Sequence, residues 1–463
     1  MQTCPKPANR MKSPETSHSG NLSADPGATL SSIGGPSVDA AEDIARYAEA
    51  MPPYRSSTGA ILLAASLVLI SFSLRTPITS VGPILLEAVR ATGLSATGAS
   101  VLTTLPSLCF GFFGPLAPML ARRLGTERAL LVLLALLTLG TALRAVPTWP
   151  ALYAGQVSAC FAVGLMNVLL PGLVKRDFPR HVALMTGLYS AAMCAGAASA
   201  AAATVPIASS IERITGGASP DAWAYALGLW ALPAALAALA WWPQMPPAGH
   251  HARRAIFVVR GLWRDPLAWQ VTLFMGTQSS LAYIVFGWLP TVLRGRGMSA
   301  VDAGFMLSLS TIAQAVAALS SPMLATRGHD QRAVNVIALM LTCVSLMGCF
   351  FAPLSSMWGW VLLLGIAQGT SFTLALTVIG LRSPDSHVAA QLSGMAQGVG
   401  YLLASSGPFV AGYLLHSTGS LVSLAVLCGA ICVLSAWFGY AAGRPVHVNA
   451  QVEQQVQSRT PEA

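Results

Sequence analysis

The chain has few charged residues for its length. Only 9% of its 463 residues are Asp, Glu, Lys or Arg, whereas 54% are hydrophobic. Soluble domains are about 25% charged, so this composition excludes an ordinary soluble protein. Because the apolar runs are long enough for membrane-spanning helices, we predict an all-α membrane protein.

The sequence also lacks the common motifs of metal, nucleotide and hydrolase sites. Its eight cysteines are scattered, with no CxxC pair and no histidine at metal-ligand spacing. A GxxxxGK(S/T) loop, an HExxH helix and a GxSxG turn are all missing, which argues against an ATP-driven pump or a familiar hydrolase. We therefore expect no metal, no cofactor and no catalytic residue, and we interpret the cysteines as small packing residues.

The N-terminal region has no sustained apolar run. Residues 1–56 are rich in Ser, Pro, Gly and Ala, a composition typical of a disordered tail. They also lack the apolar stretch of a signal peptide. The sequence therefore predicts a disordered tail of 56 residues ahead of the membrane region.

Twelve apolar segments follow this tail, separated by Pro, Gly and charged residues. Each is long enough to cross a membrane. The predicted spans, numbered 1 to 12, are 59–88, 96–121, 128–146, 151–174, 182–207, 221–242, 267–293, 300–325, 333–352, 357–381, 388–414 and 419–442. The longest polar break, 243–266, divides a six-helix half (57–242) from a second (267–443), and residues 444–463 form a C-terminal tail.

The basic residues between the spans are unevenly distributed. With the N-terminus inside, the cytoplasmic loops carry Arg122, Arg123, Arg128, Lys175, Arg176, Arg180, Arg253, Arg254, Arg260, Arg264, Arg327, Arg332, Arg382 and Arg444. The opposite side carries Arg90, Arg144, Arg213, Arg294 and Arg296. Fourteen basic residues lie on one side and five on the other. This bias follows the positive-inside rule, so both tails and the 243–266 linker should be cytoplasmic. We attribute most of the net charge of +9 to this bias and expect no nucleic-acid partner.

Short motifs recur between the two halves. PMLARRLG at 118–125 recurs as PMLATRG at 322–328, HVA at 181–183 recurs at 387–389, and GLSA at 93–96 recurs as GMSA at 297–300. All three recur at an offset of about 204 to 206 residues. This shared offset predicts that the second half is a parallel structural copy of the first.

Arg75 lies near the middle of span 1. A guanidinium at the centre of a bilayer costs at least about 2.5 to 3.5 kcal/mol, so it should face the bundle interior and have a partner. That partner is either a substrate anion or a set of helix-terminal carbonyls. Pro77 has no backbone donor for the carbonyl of Ser73 one turn earlier, and Gly82 and Pro83 form a second weak point, so we expect kinks at these residues.

Other polar side chains are predicted at similar depths. They are Asn167, Tyr189, Gln278, Tyr283, Gln314, Gln368, Gln397 and Tyr401. Amides and phenols can orient a small solute through hydrogen bonds. The alternative is that they join helices inside the bundle, as most polar side chains in membrane helices do. We select Asn167, Tyr189, Gln278, Tyr283 and Gln397 as candidate substrate contacts beside Arg75.

Twelve spans in two halves, with a basic Gly-containing loop after spans 2 and 8, resemble the major facilitator superfamily over about residues 57–443. The loop signature of that superfamily is Gly-x-x-x-Asp-Arg-x-Gly-(Arg/Lys). Here Arg123 and Gly125 keep part of it, Arg122 replaces the acidic residue, and Arg327 with Gly328 repeats it. This replacement puts the charge relay of the signature in doubt, and a topogenic basic turn is the alternative.

A narrower resemblance is to the cyanate and nitroimidazole transporters. The residues that carry it are LRTPITSVGP in span 1, ARRLG after span 2, and GTQS with Tyr283, WLP and Leu293-Arg294 in span 7. The resemblance implies transport of a small anion or small polar solute across a bacterial inner membrane. It singles out Gln278 and Tyr283 among the candidate contacts.

Several functions remain open at this point. A carrier of a small, cyanate-like solute that works by alternating access is favoured, and a drug or nitroimidazole efflux carrier is the main alternative. A receptor or membrane enzyme is more remote, because an enzyme should bring His, Asp, Glu or Cys together at one depth. We expect a monomer. Glu87 and Asp302, near the outer ends of spans 1 and 8, are the nearest candidates for a proton carrier, and transport without a dedicated proton relay is preferred.

The charge bias gives a direct test of orientation. A reporter that is active only in the cytoplasm should be active when it is fused at residue 250, because the linker lies on the arginine-rich side. A fusion at residue 92, beyond span 1, should be inactive and serves as the control. An inactive fusion at residue 250 with an active one at residue 92 would reverse the predicted topology.

Overall fold

The structure is a computed structural model that describes residues 57–179, 181–216, 220–245, 257–326 and 330–454. Side chains at 57–60, 182–183, 257–260, 322–326, 386 and 451–454 are not described. The predicted N-terminal tail, linker residues 246–256, Arg327 with Gly328, and residues 455–463 lie outside the described parts of the chain.

The described residues form twelve helical rods, labelled α1–α12. Those in the first half are α1 (Ser57–Thr79 and Val81–Thr92), α2 (Ala96–Phe113 and Ala117–Leu124), α3 (Thr126–Leu143), α4 (Trp149–Asp177), α5 (Val182–Ile214) and α6 (Ala222–Leu229 and Ala231–Trp241). Those in the second half are α7 (Pro266–Gly295), α8 (Ala300–Thr326), α9 (Arg332–Phe351), α10 (Met357–Leu381), α11 (Ser386–Ala404 and Ser406–Thr418) and α12 (Leu421–Ala442). They match the twelve predicted spans in order.

One rod and one ribbon depart from a simple apolar bundle. Eleven helices within the described residues are long and apolar enough to cross a membrane, and α7 is not among them. At 30 residues α7 is long enough, but the polar run 277–280 lies in its middle. Outside the bundle, β1 (Phe257–Arg260) pairs antiparallel with β2 (Gln451–Gln454). This ribbon was not predicted, and it joins the linker to the C-terminal tail.

Three rods are interrupted by the same local chemistry. Their first segments end at Thr79, Leu229 and Ala404. Each of these residues lies four positions before a proline, at 83, 233 and 408. Because proline has no backbone N–H, it cannot donate to the carbonyl four residues earlier, and the helix restarts with the proline in its first turn.

The predicted kinks in α1 are therefore partly relocated. The break falls at Ser80, between the two predicted positions. Pro77 stays inside a continuous helix, where the Thr76 hydroxyl donates to the Ser73 carbonyl that the proline cannot reach. Gly82 lies where α1 touches α7, since a Cβ there would be 2.5 Å from the Phe286 carbonyl oxygen. Close packing, and not bending, explains this glycine.

The two halves pack in the same way. In the first half α1 packs against α5 and α6, α2 against α4, and α3 against α4 and α6. In the second half α7 packs against α11 and α12, α8 against α10, and α9 against α10 and α12. Each pair recurs six helices later, as the motif repeats predicted. The halves meet mainly through α2 with α11 and α5 with α8, which are themselves equivalent pairs.

Arg144 supports the broken helix. The sequence placed it in an outer loop, but its side chain is 0% exposed and turns into the bundle. It donates to the Pro77 carbonyl at 3.1 Å, to Gln156 Oε1 at 3.0 Å and to the Leu227 carbonyl at 2.9 Å. Gln156 also donates to the Pro77 carbonyl. Arg144 thus satisfies carbonyls at the ends of two interrupted helices.

Arg382 has a similar role at the opposite end of the bundle. The loop assignment made it a cytoplasmic surface arginine, but it is buried. Its guanidinium donates to the carbonyls of Ala442 and Gly443, at the end of α12, and to Gln331. These two arginines therefore contribute to packing, and neither is a simple topogenic loop charge.

Replacing Arg144 should test the first of these contacts. We expect Arg144→Met to lower the free energy of unfolding by about 1–3 kcal/mol, because it leaves the buried Leu227 carbonyl without its donor. Arg90 on α1 is exposed, so Arg90→Met should change the stability little. Thermal unfolding in detergent measures both, and equal stability of the two variants would contradict the assigned role.

Candidate functional site

A small cavity lies between the two halves. Its wall is formed by Arg75 of α1, Ser279, Ala282, Tyr283 and Phe286 of α7, Gln314 of α8, Gln368 and Phe372 of α10, and Tyr401 of α11. The cavity volume is about 20 Å³, which suffices for about one water molecule. A solute larger than water therefore requires the two halves to separate further at this point.

Arg75 is the charged group of this wall. It makes no hydrogen bond and no ion pair with any residue that the structure describes, and its Cζ lies 5.5 Å from the centre of the Phe286 ring. A contact at this distance is a weak cation–π interaction. Ser279, which follows Arg75 by 204 residues, occupies the equivalent position of the other half. The first half thus contributes a charge where the second contributes a hydroxyl.

Gln368 is the most unusual polar group of the wall. It is 4% exposed, and neither its Nε2 nor its Oε1 has a hydrogen-bond partner among the described residues. Its helix packs very closely against α8, because Cβ atoms at Gly365 and Gly369 would lie 2.1 Å from the Ser310 carbonyl oxygen and 2.3 Å from that of Gln314. This close contact of α8 with α10 holds Gln314 and Gln368 on the same wall.

Aromatic rings form one side of the cavity. Tyr283 packs edge to face against Phe110, Phe286 and Tyr401, with ring centres 6.1–6.3 Å apart. Phe110 of α2 also packs against Tyr401 at 5.7 Å. Such edge-to-face pairs hold ring positions well. The cluster joins α2, α7 and α11 and fixes the two phenols.

A second cavity of about 10 Å³ shares part of this wall. Tyr283 and Phe286 line both cavities, and Gly82, Thr103 and Gln156 line the second. Gln156 is the residue that bonds Arg144 and the Pro77 carbonyl. The contacts that support the break in α1 are therefore adjacent to the site.

The structure brings together only some of the candidate contacts. Arg75 and Tyr283 line the cavity, together with Gln314, Gln368 and Tyr401. Gln278 donates instead to the Met275 carbonyl and to Ser279 Oγ, and Gln397 donates to Ser393 Oγ on its own helix. Neither lies on the cavity wall.

Two other candidates are not among the residues that line the cavity. Tyr189 is partly buried on α5 and interacts electrostatically with Arg75. Asn167 is partly buried on α4 and does not line the cavity. Sequence reasoning missed Phe286 and Phe372, since aromatic residues in an apolar helix carry no signal of their own. Ser279 could have been found from the 204-residue offset to Arg75.

The two halves are closed at the end opposite to Ser57 and Ala442. Arg294 of α7 forms an ion pair with Glu87 of α1 at 2.7 Å and donates to the Pro83 carbonyl at 3.3 Å. The tight contact at Gly82 lies in the same region. At α8 a Cβ on Gly304 would approach the Ala201 carbonyl oxygen to 2.5 Å. Opening this end requires the ion pair to break.

The loop after α2 has its own ion pair. Gly125 has a φ of +83° and ends the helix that carries Arg122 and Arg123. The acidic partner in this region is Glu127, which bonds Arg176 of α4 at 2.6 Å. Sequence reasoning did not identify this pair, because its members are far apart in sequence. Position 122 holds arginine and not the acidic residue of the signature, but Glu127 supplies a negative charge in the described part of this loop.

The chain is similar to known transport proteins over most of its length. The model of the Major Facilitator Superfamily matches residues 61–408 and 296–461. The 2-nitroimidazole transporter of Escherichia coli is 39% identical over 396 residues, which are 84% of this chain and 97% of that protein. The cyanate transport protein CynX of Escherichia coli is 29% identical, over 76% of this chain and 90% of that protein.

A solved structure supports the same fold. A bacterial homologue of the human lysosomal transporter Spinster, in an inward-facing and unoccupied conformation, superposes with a TM-score of 0.62. The match covers 83% of this chain and 96% of that one, at 16% sequence identity. At this identity the likeness concerns the fold alone.

The ion pair that joins α1 to α7 can be tested by a double-mutant cycle. Glu87→Gln and Arg294→Gln should each reduce stability, and the double variant should lose less than the sum. The Glu87 side chain is 34% exposed and that of Arg294 is 16% exposed. We therefore expect a coupling free energy of about 0.2–1 kcal/mol that decreases at high salt concentration. Glu87→Gln with Arg122→Gln is the control cycle and should be additive, because Arg122 is exposed at the opposite end of the bundle. Thermal unfolding in detergent gives both values, and additivity in the first cycle would contradict the contact.

Proposed function

Because the chain belongs to the Major Facilitator Superfamily and is a small-solute transporter, not an enzyme, we propose that the Arg75 cavity binds its solute. The family and the transport function predicted from the sequence are thereby confirmed. The proposed solute is a small anion or a small polar molecule. It moves by alternating access, in which the cavity is exposed to one side of the membrane at a time.

The observation that carries this proposal is that the Arg75 guanidinium has no hydrogen-bond or ion-pair partner among the described residues, only the Phe286 ring. Its helix neighbours Thr76 and Thr79 use their hydroxyls on backbone carbonyls and not on the guanidinium. A charge at this depth is costly unless something neutralises it. An anionic solute supplies the neutralising negative charge, and the planar guanidinium can donate two parallel hydrogen bonds to it.

The named relatives support a compact solute. One is a 2-nitroimidazole transporter and another is a cyanate transport protein, and both solutes are small and flat. Phe286, Phe372 and the two tyrosines give the cavity flat walls that suit such a shape. Nitroimidazole efflux is the second candidate function, favoured by the 39% identity to the first relative.

The distribution of arginine and the origin of the cavity walls bear on orientation and assembly. We propose that both tails lie in the cytoplasm, because arginine remains concentrated on their side after Arg144 and Arg382 are set apart as buried residues. The multi-pass chain belongs in the inner membrane. We propose that it acts as a monomer, since both walls of the cavity come from a single chain.

Transport is proposed to proceed without a dedicated proton relay. None of the described residues on the cavity wall is Asp, Glu or His. Glu87 is engaged by Arg294, and Asp302 accepts a hydrogen bond from the Ser299 hydroxyl at the exposed start of α8. Neither carboxylate therefore lies where it could exchange a proton with a solute next to Arg75.

Substitution of Arg75 tests the binding role. Arg75→Ala should raise the solute concentration that gives half-maximal uptake roughly 10- to 100-fold, because it removes charged hydrogen bonds to the solute. Arg75→Lys should fall between this variant and the wild type, since lysine keeps the charge but loses the planar fork. Uptake into proteoliposomes is measured with cyanate, nitrate, formate and 2-nitroimidazole as probes.

The matched control is Arg90→Ala on the exposed surface of the same helix. It should transport like the wild type. Normal amounts of folded Arg75→Ala protein with wild-type half-saturation for every transported probe would contradict the assignment. A thermal unfolding profile of each purified variant separates lost binding from lost folding.

A further inference from the structure

The part of the cavity wall that the second half contributes contains an amide with two unpartnered ends. Gln368 is 96% buried, that is, 4% exposed, and its Nε2 and Oε1 are both without a hydrogen-bond partner in the described chain. A primary amide donates through nitrogen and accepts through oxygen. Buried groups of this kind are normally satisfied, so two unpartnered ends on one side chain require an explanation.

The described residues around Gln368 supply no hydrogen-bond partner for its amide. The α8–α10 contact at Gly365 and Gly369 fixes the backbone on both sides of Gln368. Gln314 is on the same wall but makes no hydrogen bond to Gln368. Gln368 lines the cavity, so a molecule in the cavity is the available source of partners for its amide.

What occupies the cavity must then match two requirements at once. Arg75 calls for negative charge, and Gln368 calls for an acceptor beside a donor. We infer that Gln368 selects solutes that carry, in addition to the anionic group, a hydrogen-bond donor next to an acceptor, such as an amide or an N–H beside a ring nitrogen. The inference rests on the proposed function, because it assumes that Arg75 binds the solute.

A water molecule fits the cavity of about 20 Å³ when no solute is present. Such a water can satisfy the amide in the empty carrier. A solute that displaces it must reproduce its hydrogen bonds or lose affinity. Anions with acceptors only leave Nε2 paired and Oε1 unpaired, so they should bind more weakly than anions with a donor.

Two probes of nearly equal shape and charge separate these cases. Oxamate carries a carboxylate and a primary amide, whereas pyruvate carries the same carboxylate and a methyl ketone without a donor. Binding of each to the purified full-length protein in detergent is measured by isothermal titration. Wild-type protein should bind oxamate at least about tenfold more tightly, because a site that is built to accept a hydrogen bond rejects an analogue that lacks the donor.

The variants assign this preference to one side chain. Gln368→Met keeps the length of the side chain and removes both polar ends, so the two affinities should come within about twofold of each other. Pyruvate affinity in this variant reports that the site is still folded. Gln397→Met is the control, because Gln397 bonds Ser393 on its own helix and lies off the wall, and it should keep the preference.

Each outcome is decisive. Equal affinities in the wild type, or a preference that survives in Gln368→Met, overturn the inference while leaving Arg75-dependent binding intact. Failure of both probes to bind the wild type overturns it as well. If Arg75→Ala binds both probes as the wild type does, the proposed function itself fails. Binding that depends on Arg75, with an oxamate preference that depends on Gln368, supports both.

Discussion

The structure depends on how buried guanidinium groups are satisfied in an apolar bundle. Arg144 and Arg382 direct their donors to carbonyls at helix ends and to glutamine side chains. These two close the bundle where helices are interrupted or end. Arg75 has the same chemistry but no such partners among the described residues. A guanidinium that the protein satisfies is structural, whereas one that it leaves unsatisfied is available to a ligand.

The first helix connects the cavity to the closed end of the bundle. Its first segment carries Arg75, and its second carries Glu87, which is paired with Arg294 of α7. The break at Ser80 lies between them, and Arg144 holds the carbonyl of Pro77 just before it. Separation of α1 from α7 would therefore alter the closed end and the cavity together. Because one helix contributes to both regions, the cavity and the closed end can be coupled directly, without a chain of contacts through other helices.

Hydropathy and repeats predicted the spans and the two halves, because both depend on composition along the chain. The site was predicted less completely. Depth alone placed Gln368 and Gln397 in the same class, yet the first lines the cavity and the second bonds Ser393 on its own helix. Arg144 was assigned to a loop because its backbone lies at the end of α3. Which way a side chain faces depends on contacts between distant helices, and one sequence does not encode these in a periodic pattern.

The two halves contribute unequally to the cavity. Among the described residues, the first half supplies one residue of the wall, Arg75, whereas the second supplies the hydroxyl, amide and phenol groups. Internal symmetry alone would give both halves the same chemistry, yet the equivalent positions hold Arg75 in one half and Ser279 in the other. A solute held by charge on one side and by hydrogen bonds on the other must bridge the halves. Its binding free energy then favours the arrangement in which both walls touch it, so the asymmetry of the site links occupancy to the relative position of the halves.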